Sequence, residues 1–166
     1  MRTLLVTVGS TKFDELINMI EKDQIKFKEF NNKFHIDRVV IQHGKSRSPK
    51  MFNFDNIQIV DYLKPEEMSK LLCESTVIIS HGGAGTIFEV LRGNKSNLEL
   101  FLVVENENLM DAHQAELIES LIGINCPIQK GDLKNLFESP VSVIKDFKLP
   151  EPDYLPLVNI IKSHLH

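Results

Sequence analysis

"IISHGGAGTIFEVL", residues 78–91, is the stretch that decides how this chain reads. Three glycines fall within four positions, between a β-branched run and an amphipathic run, in a chain with only 8 glycines. Glycine weakens strands and helices alike, so a cluster at a strand-to-helix junction needs a reason. An anion supplies one. Without Cβ atoms at Gly82, Gly83 and Gly85 the backbone can approach a bulky phosphate group, and the free N–H groups of the next helix point at it. The competing reading is local. Thr86 caps the helix, Glu89 three residues on completes a capping box, and His81 is satisfied by backbone at the strand end. On the binding reading Thr86 and His81 meet phosphate oxygens, and Glu89 reaches a ribose diol.

Outward from this stretch, short apolar runs alternate with helical patterns. Residues 3–8, 36–42, 57–62, 76–80 and 98–105 read as strands, and 125–129 as a short edge strand marked by Pro127. Residues 13–22, 64–75, 86–93, 110–123 and 132–139 read as helices; Pro65 followed by two acids is a helix start. Such alternation predicts an α/β fold, a Rossmann-like parallel sheet with helices on both faces. Residues 1–139 form the expected domain. Residues 140–166 hold Pro140, Pro150, Pro152 and Pro156 and read as a strap with a last helix. Residues 43–55 read as a polar, mobile loop.

In a sheet of this kind ligands bind beyond the carboxyl ends of the strands. After the first strand, Gly9 permits a tight turn, and Ser10 and Thr11 offer hydroxyls. They make an anion cradle, or Thr11 caps the helix with Asp14 completing the box. After the third strand come Tyr62 and Leu63, near a base edge or in the core. After the fifth, Asp111, His113 and Gln114 cluster at a helix start. They suit several sugar hydroxyls, whereas Asp111 and Gln114 alone suffice for a cap. A dinucleotide fingerprint fits less well. Gly83 and Gly85 are present and Glu105 ends the next strand, but Phe88 fills the third small position and the motif follows the fourth strand. A P-loop is excluded, because Gly44-Lys45-Ser46 has Val39 where the upstream glycine belongs.

Composition sets the outer limits. With 42% hydrophobic and 25% charged residues and a net charge of -4, the 166-residue chain reads as one globular domain without a basic stripe for nucleic acid. Cys73 and Cys126 stand far apart, in neither a disulfide framework nor a metal pattern, and read as reduced thiols. The N-terminus reads as a strand rather than a signal peptide, and no window is long and apolar enough to span a membrane.

Three stretches in register, "LLVTVGSTKFDELI", "IISHGGAGTIFEVL" and "LFLVVENENLMDAHQAELIESL", closely resemble one family over residues 1 to about 128. It is that of the soluble catalytic subunits of eukaryotic UDP-N-acetylglucosamine transferases of dolichol-linked oligosaccharide synthesis. Those subunits are similar to the C-terminal, donor-binding half of a two-domain GT-B glycosyltransferase. The resemblance implies an inverting transfer of N-acetylglucosamine from UDP-N-acetylglucosamine to N-acetylglucosaminyl-diphospho-dolichol, giving diphospho-dolichol chitobiose without metal or cofactor. It implies a cytoplasmic chain recruited to the cytosolic face of the endoplasmic reticulum by a membrane-anchored, acceptor-binding subunit. Gly9, Ser10 and Thr11 match the family's first phosphate loop, and His81, Gly82, Gly83, Gly85 and Thr86 its second. Glu89 matches the ribose acid, Tyr62 and Leu63 the uracil edge, and His113 and Gln114 the sugar-reading pair, with Asp111 just before them. Nothing in the chain is a convincing general base; His113 is conceivable but better suited to sugar reading, and the base is expected from the partner. The stretch from Gly93 departs from the family's usual Gly-Lys-Pro and looks like a small insertion. The alternative function is a non-catalytic nucleotide- or dinucleotide-binding module.

Overall fold

A computed structural model describes residues 1–51, 54–93, 97–106, 112–123 and 126–138. In chain order the elements are β1 (Thr3–Thr7), α1 (Asp14–Lys22), α2 (Gln24–Lys33), β2 (Arg38–Gln42), β3 (Ile57–Val60) and α3 (Pro65–Glu74). Then come β4 (Val77–His81), α4 (Ala84–Arg92), β5 (Leu100–Val104), α5 (Ala112–Gly123) and β6 (Gln129–Gly131). The six strands form one parallel sheet in the order β3-β2-β1-β4-β5-β6.

Every residue of β1, β4 and β5 is buried, as expected of strands covered on both faces. The period of two sorts their side chains into two layers. Leu4, Val6, Val77, Ile79, Leu100 and Leu102 join Leu16, Ile17 and Ile20 of α1 and Phe27 and Phe30 of α2. Leu5, Ile78, Phe101 and Val103 join Leu72 of α3, Ile87 and Val90 of α4 and Ile118 of α5. Truncating one such buried aliphatic costs about 2–5 kcal/mol. A typical hydrogen bond contributes about 0.5–1.5 kcal/mol net, so these layers carry the fold more than the turns above them. The edge strands β3 and β6 are less buried.

The parallel Rossmann-like sheet is as expected, with three local differences. Helix α2 is not marked by the sequence: it buries only Phe27, Phe30 and Asn31 among ten otherwise polar or exposed positions. Residues 132–138 form turns rather than a helix. The Asp132 carboxylate accepts the Lys134 N–H at 3.0 Å and the Asn135 amide at 3.2 Å, and the backbone bonds close three residues apart. Leu136 nevertheless reaches the core. The loop after β2 is fastened through residue 51. Arg47 bonds Glu21 at 2.6 Å and Asn18 at 2.7 Å, and the Lys50 N–H donates to Glu21 at 3.0 Å. The expected strap and last helix of 140–166 lie outside the described residues. Among the described residues no helix is long and apolar enough to cross a membrane.

Candidate diphosphate and sugar site

The strand order reverses between β1 and β4. The chain runs from β1 to β2 and β3 on one side, then returns to place β4 against β1 on the other. This topological switch point opens a crevice at the carboxyl ends, where parallel α/β sheets bind ligands. Thr7 lies opposite Ser80, so the turns after β1 and β4 stand at one level. These are the two glycine-containing turns marked by the sequence.

His81 fills the space between them. Its side chain is buried, with 5% of its surface exposed. A Cβ at Gly9 would lie 2.7 Å from His81 Cε1, and one at Gly83 would strike His81 Nε2. The glycines therefore admit an imidazole between the turns as well as leaving backbone free for a ligand. Gly9 also needs its glycine for its backbone, at φ +62°. Burial pushes the His81 pKa below its ordinary value, and the Thr7 carbonyl opposes this more weakly. The ring is thus held neutral, and its Nδ1 is buried without a hydrogen-bond partner. A buried polar atom left unpaired is costly.

Helix α4 starts two residues earlier than the sequence suggested. Gly83 is its N-cap and no side chain caps it. Gly85 and Thr86 lie in the first turn, so the Thr86–Glu89 capping box does not form. The uncapped end leaves N–H groups and the positive end of the helix dipole facing the crevice. Nothing lies within 4 Å of a Cβ placed at Gly85, so the helix surface is open there. Glu89 is exposed on α4 and shares a groove with Gly85, Phe88 and Arg92 of α4 and Ser69 and Cys73 of α3.

The first turn is held from outside itself. The Thr11 hydroxyl donates to the Val8 carbonyl at 2.7 Å and does not cap α1, whose N-cap is Phe13. Ser46 Oγ instead accepts the Phe13 N–H at 2.7 Å, across the sequence from the loop after β2. Lys12 pairs with Asp14 at 3.0 Å and holds its carboxyl below the usual range. Ser10 is exposed. The Gln42 amide donates to the carbonyls of Gly9 at 2.7 Å and Asp61 at 2.8 Å, and the Thr7 hydroxyl donates to Gln42 Oε1 at 2.6 Å. Asn106, buried at the end of β5, donates to the Lys12 carbonyl at 2.9 Å.

The structure thus brings Gly9, His81, Gly82 and Gly83 together, and Gln114 with them. A Cβ at Gly82 would lie 3.0 Å from Gln114 Oε1 and 3.2 Å from Ile118. Gln114 Oε1 is buried without a partner, so it is not spent on a capping box. Asp111 and the His113 side chain lie outside the described residues. At the end of β3, Tyr62 is 62% exposed whereas Leu63 belongs to the core layer of α3–α5. Glu105, the acid of the dinucleotide alternative, is held by Lys130 at 2.8 Å. Among the described residues no three His, Cys, Asp or Glu side chains gather in a metal-binding group. Sequence reading missed Gln42, Ser46 and Asn106. A polar residue after the apolar run 39–41 is the one signal at Gln42, and it does not tell which loops the side chain ties.

The family described as the glycosyltransferase family 28 C-terminal domain matches residues 3–146. The UDP-N-acetylglucosamine transferase subunit ALG13 of Mus musculus is 33% identical over 123 residues, which are 73% of this chain and 10% of that protein. The chain therefore spans about a tenth of that relative's length. A solution structure of ALG13 has a TM-score of 0.52 at 19% identity, covering 82% of both chains. The crystal structure of the glycotransferase of kitacinnamycin has a TM-score of 0.55 at 19% identity, covering 81% of this chain and 31% of that one. These two likenesses speak to the fold, the Rossmann-like half of a glycosyltransferase. With the family match running through all six strands and both glycine turns, the chain belongs to the glycosyltransferase family 28 C-terminal domain family.

Proposed function

We propose that this chain is the donor-binding subunit of an inverting N-acetylglucosaminyltransferase. It takes UDP-N-acetylglucosamine and transfers the sugar to N-acetylglucosaminyl-diphospho-dolichol, forming diphospho-dolichol chitobiose for N-glycan precursors. The observation that carries this reading is the pair of glycine turns at the β1–β4 switch point, with His81 between them and the uncapped start of α4 beside them. The name of the Mus musculus relative supplies the donor and the word subunit.

In this reading Gly9, Ser10 and Thr11 and the turn of His81, Gly82, Gly83, Gly85 and Thr86 hold the diphosphate. As the glycosidic bond breaks, negative charge grows on the UDP oxygens. Preplaced N–H donors stabilise that charge, each worth about 2.7–4 kcal/mol. Neutral His81 donates from one ring nitrogen without a change of charge. Glu89 binds the ribose, Tyr62 and the Leu63 backbone meet the uracil edge, and Asp111, His113 and Gln114 read the sugar hydroxyls. The base that deprotonates the acceptor hydroxyl comes from a membrane-anchored subunit at the cytosolic face of the endoplasmic reticulum. Residues 140–166 are the proposed docking element for it.

The test is a titration of the purified chain with UDP, UDP-N-acetylglucosamine and NAD, followed through backbone amide shifts. The two uridine ligands move residues 9–11 and 81–86, and NAD moves neither. UDP seated elsewhere overturns the reading. Robust transfer to a short-lipid acceptor by the chain alone removes the need for a partner-supplied base.

A further inference from the structure

We propose that Gln42 is a positioning residue for the nucleotide, fixing the separation between the diphosphate turn at Gly9 and the base-side loop at 61–63. The inference rests on the donor-site reading above and adds a residue to it.

Gln42 is the last residue of β2, and β2 lies between β1 and β3. Its side chain is 2% exposed at the carboxyl end of the sheet, where one carboxamide can reach the loops of both neighbouring strands. Both amide protons are used, one on the Gly9 carbonyl at 2.7 Å and one on the Asp61 carbonyl at 2.8 Å. The carbonyl end accepts the Thr7 hydroxyl at 2.6 Å, and Thr7 Oγ1 accepts the Gly9 N–H at 3.1 Å. This pattern fixes the orientation of the amide, since a flipped group would set its oxygen against two carbonyl oxygens.

The sheet does not need this side chain. Backbone bonds hold the register from Thr3 opposite Arg38 to Thr7 opposite Gln42, and beyond it the Val8 N–H donates to the Gln42 carbonyl at 3.1 Å. The carboxamide instead ties two loops that the donor reading assigns to two parts of one ligand. A ligand whose parts engage two sites gains over either part alone only while the spacing of the sites matches its own. Gln42 sets that spacing.

The experiment compares wild type with Gln42→Met, which keeps the volume and removes the three bonds. Binding of UDP, uridine and inorganic pyrophosphate is measured by amide shifts, with thermal melting as the folding control. Expected is about a tenfold weakening for UDP, with uridine and pyrophosphate each changed by less than about threefold. Equal UDP affinity in a folded Gln42→Met chain overturns the proposal, and so does equal weakening of all three ligands. If Gln42→Met does not fold, Gln42→Asn carries the test by the same criteria, because it keeps a carboxamide that is one methylene too short to bond both the Gly9 and the Asp61 carbonyls. A wild-type chain that binds no UDP at all refutes the donor-site reading instead, so the two failures are told apart.

Discussion

The turn after β1 is braced from several sides by hydrogen bonds and backbone, whereas the turn after β4 is packed by side chains, the His81 imidazole foremost. Gln42, Ser46, Gly44 and Asn106 all support the first turn and the segment leading into α1, and they come from β2, the loop after it and the end of β5. The second turn has His81 packed against Gly83, and Gln114 and Ile118 against Gly82. The difference lies in what a glycine touches. At Gly44 an added Cβ would strike the Thr11 carbonyl oxygen and come within 2.7 Å of the Gly9 carbonyl oxygen, and backbone cannot step aside. At Gly83 it would strike the end of a side chain. The first turn is therefore scaffold, and the second is a contact that side chains can make or release.

Gly44→Ala should break the first turn and produce the largest effect. Gly44 sits at φ +56°, a left-handed conformation that costs alanine about 1–2 kcal/mol before any collision. With the two carbonyl contacts added, a loss of about 3 kcal/mol or more in urea unfolding is expected. A loss below about 1 kcal/mol would mean that the loop after β2 yields, and the two turns would no longer differ in kind.

Gly83→Ala should act mainly on binding. The imidazole must leave its seat, and UDP affinity should fall by about thirtyfold, close to 2 kcal/mol. The contact with a side chain gives a sharper test through the double variant. His81→Ala combined with Gly83→Ala should be less destabilised than the sum of the single changes by about 1 kcal/mol or more, as neighbours in collision couple. Additive losses would show that Gly83 is required for something other than the imidazole.

The sequence made the second turn legible and hid the support of the first. Three glycines beside a histidine form a local pattern, and the largely apolar runs of β1, β4 and β5 announced the sheet that carries them. Gln42 reads as an ordinary polar strand end until the strand order puts β2 between β1 and β3, and no local pattern encodes that order. Ser46 is likewise one polar residue in a polar loop, yet it holds the N–H of Phe13, which stands as N-cap where Thr11 seemed suited. Helix α2 was hidden for the opposite reason, because its two buried phenylalanines are too few to set a period. Thr86 was misplaced because Gly85 looked like a breaker, whereas Gly83, with ψ 122°, is where the helix begins.

Proton linkage at His81 gives a smaller effect. Burial lowers its pKa in the fold, so below the unfolded value near 6.5 the unfolded chain takes up the proton first. Stability is fully present above about pH 6.5 and falls as pH drops toward the folded pKa, by at most about 1.4 kcal/mol per pH unit. His81→Phe keeps a ring between the turns and removes the titration. Urea midpoints at pH 7.5 and 5.5 should therefore separate more in wild type than in His81→Phe, the other five histidines being common to both. Equal separations would mean that the imidazole is free to charge in the fold, and the second turn would not be a closed contact.

Ser46→Ala tests the brace at its weakest point. The Phe13 N–H precedes α1 and has the Ser46 hydroxyl as its acceptor at 2.7 Å, in buried surroundings. Asp14 also depends in part on Ser46 for the lowering of its carboxyl pKa, after Lys12. Removing the hydroxyl should cost about 1 kcal/mol, the usual loss when a helix N-terminus loses its side-chain acceptor. The loss should appear in urea unfolding with no change of slope. UDP binding should weaken less than in Gly83→Ala, because Gln42 still holds the Gly9 carbonyl and the Lys45 N–H still donates to the Thr11 carbonyl at 2.9 Å. If Ser46→Ala weakens UDP as much as Gly83→Ala does, the first turn is as dependent on single contacts as the second, and the redundancy claimed for it is absent.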